Sequence, residues 1–131
     1  MNSSQHKGTI TPNGVVLKPN ENATAVLLTE YGFDISLIPP SNIPGVHTPD
    51  IKMCGLEWEM KAPVGEGKYL MANTVQRAVK QSQNIIIDLR HTKRYQIKCL
   101  RELEKEFKKS TSIKRLKIVK KDQKIVDFVK R

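Results

Sequence analysis

Two carboxylates and one amine stand close together in the sequence: Asp50 follows a proline, and Glu59 and Lys61 are separated by one residue. Two acids brought side by side repel each other unless a positive charge lies between them. Hard divalent cations take carboxylate oxygens as ligands, and an adjacent lysine can neutralise charge that develops during a reaction. The spacing predicts a site for a divalent metal ion, provided that the fold brings Asp50 to Glu59.

The segment 48–61 predicts how these residues are positioned, because it has the pattern of two short strands around a turn at Cys54-Gly55. Apolar and charged residues alternate strictly over residues 56–61, which is typical of a half-buried strand. With a two-residue turn, we expect the cross-strand pairs Met53 with Leu56, Lys52 with Glu57, Ile51 with Trp58, and Asp50 with Glu59. The last pair would place two acidic Cβ atoms about 5 Å apart.

The rest of the chain predicts an α/β sandwich, in which helices flank a mixed central sheet in the order α-β-β-β-α-β-α-β-β. Helices are expected at 20–31, 74–83 and 92–109, and strands at 33–38, 84–89, 113–119 and 124–129 besides the hairpin. Residues 1–20 contain Gly and Pro with little periodicity, so we expect a leader or linker there. Residues 21–131 then form a single domain, as the length allows.

The net charge of +10 is distributed unevenly along the chain. Residues 1–89 carry seven basic and eight acidic side chains, whereas residues 90–131 carry sixteen basic and five acidic ones. A basic surface of this kind favours a partner rich in phosphate, and the alternative is a merely soluble basic segment. The candidates for binding nucleic acid are Lys80, Arg94, Lys98, Arg101 and Lys105.

The motif Pro49-Asp50, then Glu59 and Lys61, resembles that of the PD-(D/E)xK nuclease superfamily. The resemblance implies metal-assisted hydrolysis of a phosphodiester, with Asp50 and Glu59 as metal ligands and Lys61 acting on the nucleophile or transition state. The implied ion is Mg²⁺, with Zn²⁺ or Mn²⁺ as alternatives. In that superfamily a helix before the sheet often supplies another acid, and Glu30 matches that place as a further catalytic residue and metal ligand; an ordinary surface residue is the alternative.

Residues 48–63, the Gln/Lys-rich helix after them and the run Asn84–Leu89 look like the C-terminal toxin nuclease domains of contact-dependent growth inhibition proteins. Several of those domains cleave tRNA, and the likeness covers roughly residues 22–110. It implies tRNA as substrate, delivery into the cytoplasm of a neighbouring bacterial cell, and a cognate immunity protein. The N-terminal residues have no apolar signal-peptide core, and no apolar run approaches the roughly 20 residues of a membrane span.

Other functions stay open at this point. The same motif would serve a DNA endonuclease of the mobile-element or resolvase type. A non-catalytic nucleic-acid-binding module is a third reading, although aromatic residues for base stacking make up only 5% of the chain. Glu59 and Lys61 could also be a plain surface ion pair. The oligomeric state is open, as are the roles of Glu57, Asp88, His47 and His91.

Overall fold

A seven-stranded mixed sheet organises the protein, whose computed structural model describes residues 6–131. The strands are β1 (Ile10–Thr11), β2 (Ile35–Leu37), β3 (Ile51–Met53), β4 (Leu56–Lys61), β5 (Asn84–Asp88), β6 (Arg115–Val119) and β7 (Ile125–Val129). The helices are α1 (Pro19–Glu30), α2 (Leu70–Ala78) and α3 (Gln96–Lys109). The strands lie in the sheet in the order in which they occur in the chain.

The strand directions bring the C-terminal ends of three strands to one edge of the sheet. β4, β5 and β6 are mutually parallel, whereas β3 pairs antiparallel with β4 and β7 pairs antiparallel with β6. Parallel neighbours end at the same edge, which is where ligand sites of such sheets usually lie. The residues after Lys61 and after Asp88 therefore leave the sheet side by side.

Helices cover both faces of the sheet and enclose two apolar cores. One core joins α1 to the first face through Leu28, Trp58, Met60 and Ile86. The other joins α2 and α3 to the second face through Val75, Leu103, Ile85 and Ile87. Each fully buried side chain of this size stabilises the fold by about 1.5–3 kcal/mol. The predicted α/β sandwich with a mixed sheet is confirmed.

The central strand β5 is buried along its whole length, as its continuous apolar sequence predicts. The start of α2 differs from the prediction. The sequence predicted a helix from residue 74, but the hydroxyl of Thr74 donates to the carbonyl of Leu70 at 2.7 Å, inside a helix that has already begun at Leu70. α3 begins at Gln96 rather than near Thr92.

The strand β1 lies in the segment expected to be a leader or linker, 1–20, of which residues 1–5 fall outside the described part of the chain. It pairs in parallel with β2. The carboxylate of Asp34 accepts hydrogen bonds from the backbone and hydroxyl of Thr9 at 3.0 and 3.1 Å. Two residues are too few to show a periodic pattern, so the sequence did not predict this strand.

Candidate metal and catalytic site

The hairpin that carries the motif forms in the predicted register. Its turn residues Cys54 and Gly55 have φ angles of 56° and 74°, as a two-residue turn of type I′ requires. The pairs Met53 with Leu56, Lys52 with Glu57, and Ile51 with Trp58 are all present. The alternating side chains of β4 therefore place Glu57, Glu59 and Lys61 on one face.

Asp50 departs from the predicted ladder, because β3 begins at Ile51 and the fourth pair, Asp50 with Glu59, does not continue it. Instead the Asp50 backbone N–H donates to the carbonyl of Trp58 at 2.9 Å. Its Oδ2 accepts a hydrogen bond from the backbone N–H of Met60 at 2.8 Å. The side chain is thus held against β4 beside Glu59, where the prediction needed it.

Glu59 is buried, with only 3% of its surface exposed. Its Oε2 lies 3.3 Å from Nζ of Lys61, and its Oε1 is buried with no hydrogen-bond partner among the residues that the structure describes. Burial first, and then the negative charge of Asp50, raise the pKa of Glu59 to about 8 against the opposing effect of Lys61. The pair of acids therefore holds a proton at neutral pH unless another cation is supplied.

The arrangement fits a hard divalent cation. Asp50 and Glu59 offer carboxylate oxygens, one of them the orphaned Oε1 of Glu59. Within residues 6–131 no three His, Cys, Asp or Glu side chains are grouped as a metal site, so two carboxylates would be the main protein ligands. Mg²⁺ is commonly bound in this way, with water and substrate phosphate completing its coordination. An all-carboxylate set suits Mg²⁺ or Mn²⁺ better than Zn²⁺.

Glu30 is not brought to this pair of acids. It is exposed at the C-terminal end of α1, and α1 packs on the face of Trp58 and Met60, away from the face of Glu59. The pKa of Arg90 is raised mainly by hydrogen bonds to Asp88, and the charge of Glu30 adds to that effect. The structure thus places Glu30 near Arg90 and gives it no contact with the predicted metal ligands.

Glu21 is the acidic residue of α1 that the structure does bring to the site. It lines a cavity of about 370 Å³ together with Asp50, His47 and Gln81. It also lines a second cavity of about 330 Å³ with Lys61. The sequence gives Glu21 no more than a favourable charge at the helix N-terminus, because the direction in which α1 crosses the sheet decides which of its ends reaches the motif.

Asp88 links the end of β5 to α1. It is fully buried and accepts hydrogen bonds from the hydroxyl of Thr24 at 2.7 Å and from Arg90 Nη2 at 2.8 Å. Arg90 also donates to the carbonyl of Ala23 at 3.0 Å. Burial alone would raise the pKa of Asp88, but the hydrogen bonds from Arg90 and Thr24 hold it below its usual value. The network fixes the N-terminal half of α1 at the sheet edge.

The predicted nucleic-acid-binding residues fall into two groups. Lys80, Lys98, Arg101 and Lys105 are exposed, three of them on α3. Arg94 precedes α3, and its side chain is only 12% exposed. Its Nε and Nη2 lie 2.9 and 2.5 Å from the carboxylate of Glu102, so the guanidinium is engaged within the protein rather than presented on the helix surface.

The remaining candidates differ in their exposure, and one of them, His47, shares a cavity with Asp50. Glu57 is exposed opposite Lys52 near the turn. His47 is exposed in the loop that lines the larger cavity. His91 has a buried Nε2 without a partner among the described residues. A further cavity of about 510 Å³, lined by Arg101, Glu104, Lys105, Lys108 and Lys109, lies along α3 and contains none of the motif residues.

Comparison with known proteins gives two similarities. The family model described as the contact-dependent growth inhibition CdiA C-terminal domain matches residues 47–125. A solved structure, the CdiA-CT/CdiI toxin and immunity complex from Burkholderia pseudomallei, contains a chain with a TM-score of 0.71 and 19% identity. That match covers 94% of this chain and all of the other, and at this identity it shows the shared fold. No match was found among curated proteins.

In the described part of the chain, no helix combines the length and apolarity of a membrane span.

Proposed function

Because the chain belongs to the family of CdiA C-terminal domains, the toxin domains of contact-dependent growth inhibition, we propose that it is a metal-dependent nuclease that cleaves tRNA. One observation carries the proposal: Glu59, with its pKa raised to about 8, lies beside Asp50 and 3.3 Å from Lys61. Strongly shifted pKa values cluster at functional sites. A structural ion pair alone would have no use for a second acid at this position.

Each residue of the site has a proposed role of the PD-(D/E)xK type. Asp50 and Glu59 would hold a divalent cation, and that cation would supply positive charge to stabilise the phosphate under attack. Lys61 is 28% exposed at its side chain, so its ammonium can meet both the phosphate and an attacking water. Glu21 lines one cavity with Asp50 and another with Lys61. It replaces Glu30 as the acid that α1 contributes beside the site, while Asp50 and Glu59 remain the main metal ligands.

The choice of RNA, and of tRNA in particular, follows from the sequence resemblance and is supported by charge. The segment 90–131 nets +11 from sixteen basic and five acidic residues. Lys98, Arg101 and Lys105 present part of this charge on the exposed side of α3. Contacts of this kind bind phosphates without reading sequence, so they would hold a tRNA while the hairpin performs the cleavage.

The proposal also includes a partner and a place of action. The similar solved chain is part of a toxin and immunity complex, and we propose that this chain likewise has a cognate immunity protein. As a member of the family it is delivered to a target cell, and we propose that it acts in the cytoplasm, where tRNA is available. Co-purification with the immunity protein, and protection of tRNA by that protein in a digest, would test this part.

The test of the activity is a set of digests with four substrates: tRNA, unstructured RNA, duplex RNA and plasmid DNA. Each is incubated in Mg²⁺ and in EDTA with wild-type protein, Asp50→Asn and Glu57→Gln. Glu57→Gln is the matched control, because Glu57 is an exposed acid on the same face of the same hairpin. We expect tRNA cleavage in Mg²⁺ by the wild type and by Glu57→Gln, and none in EDTA or by Asp50→Asn.

Two outcomes would replace the proposal with one of its alternatives. Cleavage of plasmid DNA with tRNA left intact would indicate a DNA endonuclease that uses the same site. Binding of nucleic acid that is unaffected by EDTA and yields no products would indicate a non-catalytic module. Full activity of Asp50→Asn would show that cleavage does not use the proposed metal site of the hairpin.

A further inference from the structure

Tyr95 presents an exposed aromatic ring at the edge of the sheet where the site lies. Its surface is 73% exposed, and Nζ of Lys98 lies 5.7 Å from the centre of its ring. The ring borders a cavity of about 290 Å³ lined by Glu66, Lys93, Arg94, Tyr95 and Lys98. An aromatic face beside free ammonium groups is the combination that binds unpaired nucleotides.

The charges around this cavity favour an anion. Lys93 and Lys98 are exposed, and neither forms an ion pair with any residue in the described range 6–131. Arg94 is already neutralised by Glu102, at 2.5 Å. Glu66 is the one acid in the lining, so two unpaired ammonium groups face one carboxylate. By contrast, Lys108 and Lys109 further along α3 pair with Glu104 and Glu106.

The cavity is tied to the chain segment that leaves the catalytic strand. Gly65, four residues after Lys61, accepts hydrogen bonds at its carbonyl from the hydroxyl of Thr92 and from the N–H of Lys93, the latter at 3.3 Å. Four residues span at most about 14 Å. Lys93 lies across this hydrogen bond and Tyr95 follows two residues later, up to about 7 Å further. The backbones of Lys61 and Tyr95 are thus tied within a span that a single strand of several nucleotides can bridge.

We infer that Tyr95 is a stacking platform for an unpaired base of the RNA substrate near the cleaved bond, with Lys93 and Lys98 binding the phosphates beside it. The inference rests on the proposed function, in that it assigns RNA to this site. A duplex keeps its base faces stacked inside the helix, so a platform of this kind selects single-stranded segments and loops. The substrate class is thereby narrowed to RNA with unpaired nucleotides at the cut.

The test measures binding alone, so that it does not depend on cleavage. Lys61→Ala protein in EDTA is titrated into a single-stranded RNA containing 2-aminopurine, whose fluorescence is quenched by stacking, and into the same RNA as a duplex. Tyr95→Ala, introduced into the Lys61→Ala protein, should weaken binding of the single strand about tenfold, because one stacked base contributes about 1–3 kcal/mol of binding free energy. Adding Tyr95→Phe should preserve both affinity and quenching, because the aromatic face is retained.

Tyr69 supplies a matched control, since it is 64% exposed, lies 5.0 Å from Nζ of Lys68 and does not line this cavity. Tyr69→Ala should leave binding unchanged. The inference is overturned if Tyr95→Ala binds the single strand as well as its parent, or loses duplex binding equally. If wild-type protein never cleaves RNA but its RNA binding depends on Tyr95, the nuclease proposal is refuted and the assignment of Tyr95 as a stacking platform is retained.

Discussion

Oε2 of Glu59 lies 3.3 Å from Nζ of Lys61, and both side chains project from one face of β4 because they are two residues apart. Asp50, the residue before β3, adds a second carboxylate, which accepts a hydrogen bond from the N–H of Met60. One ammonium thus faces two acids in a largely buried position. Without metal, protonation of Glu59 removes one of the two negative charges that face this single ammonium.

This proton makes the stability of the metal-free protein depend on pH. The unfolded chain releases the Glu59 proton near pH 4.5, whereas the folded protein holds it until about pH 8. The folded state binds more protons between these values, so the free energy of unfolding should fall as pH rises from 4.5 to 8. Urea denaturation in EDTA across this range measures the slope. Glu59→Gln should flatten it and Glu57→Gln should not; an unchanged slope in Glu59→Gln would refute the assignment.

Metal binding should compete with the same proton. Because the ligand is the ionised carboxylate, Mg²⁺ affinity should rise as pH increases toward 8, and binding should release a proton. Isothermal titration in two buffers with different ionisation enthalpies measures that release. Asp50→Asn should abolish binding, whereas Glu57→Gln should match the wild type. Equal affinity at pH 6 and pH 8 would contradict a site built on Glu59.

The sequence predicted the hairpin well because a two-residue side-chain period and a turn at Cys54-Gly55 determine its register. It named Glu30 as the acid of α1 and missed Glu21, since the packing of α1 on the sheet decides which end of the helix meets β4. Nor could it show that Arg94 is engaged by Glu102, because that pair depends on where α3 begins. Periodic patterns report local geometry, whereas these contacts arise from tertiary packing.

The buried link between Asp88 and Arg90 should be important for stability. Asp88→Ala leaves Arg90 without its main partner, at a cost of about 3–5 kcal/mol for a buried pair. Because its pKa is lowered, Asp88 stabilises the fold above pH 3.8, and that contribution is lost as the pH falls further. Chemical denaturation measures the loss. Glu104→Ala, which breaks an exposed pair with Lys108, should cost under about 0.5 kcal/mol; similar losses in both variants would contradict this role.

Exposed lysines of α3 that bind phosphate should contribute to salt dependence. Lys98→Ala and Lys105→Ala should each reduce the slope of log affinity against log salt by about 0.7 for single-stranded RNA. Lys108, which is already paired with Glu104, is the matched control and should change the slope less. Filter binding of a single-stranded RNA by the Lys61→Ala protein at several salt concentrations measures this. Identical slopes in all variants would place the RNA elsewhere.

A substitution in the hairpin turn should stabilise the fold without changing the residues of the site. Cys54 has a φ of 56°, a conformation that Asn adopts more readily than Cys in a type I′ turn. Cys54→Asn should raise the free energy of unfolding by up to about 1 kcal/mol and leave activity unchanged. Thermal denaturation and a tRNA digest measure the two effects. A loss of stability would show that the Cys54 side chain has a contact of its own.

The most direct measurement is single-turnover cleavage of tRNA in Mg²⁺ by wild type, Lys61→Ala and Lys52→Ala. Lys52 is an exposed lysine on the adjacent strand of the same hairpin, so it controls for the loss of a positive charge. The account predicts a loss of at least about 100-fold for Lys61→Ala, as for removal of one group that stabilises the transition state, and a near wild-type rate for Lys52→Ala. Cleavage by folded Lys61→Ala at the wild-type rate would contradict it.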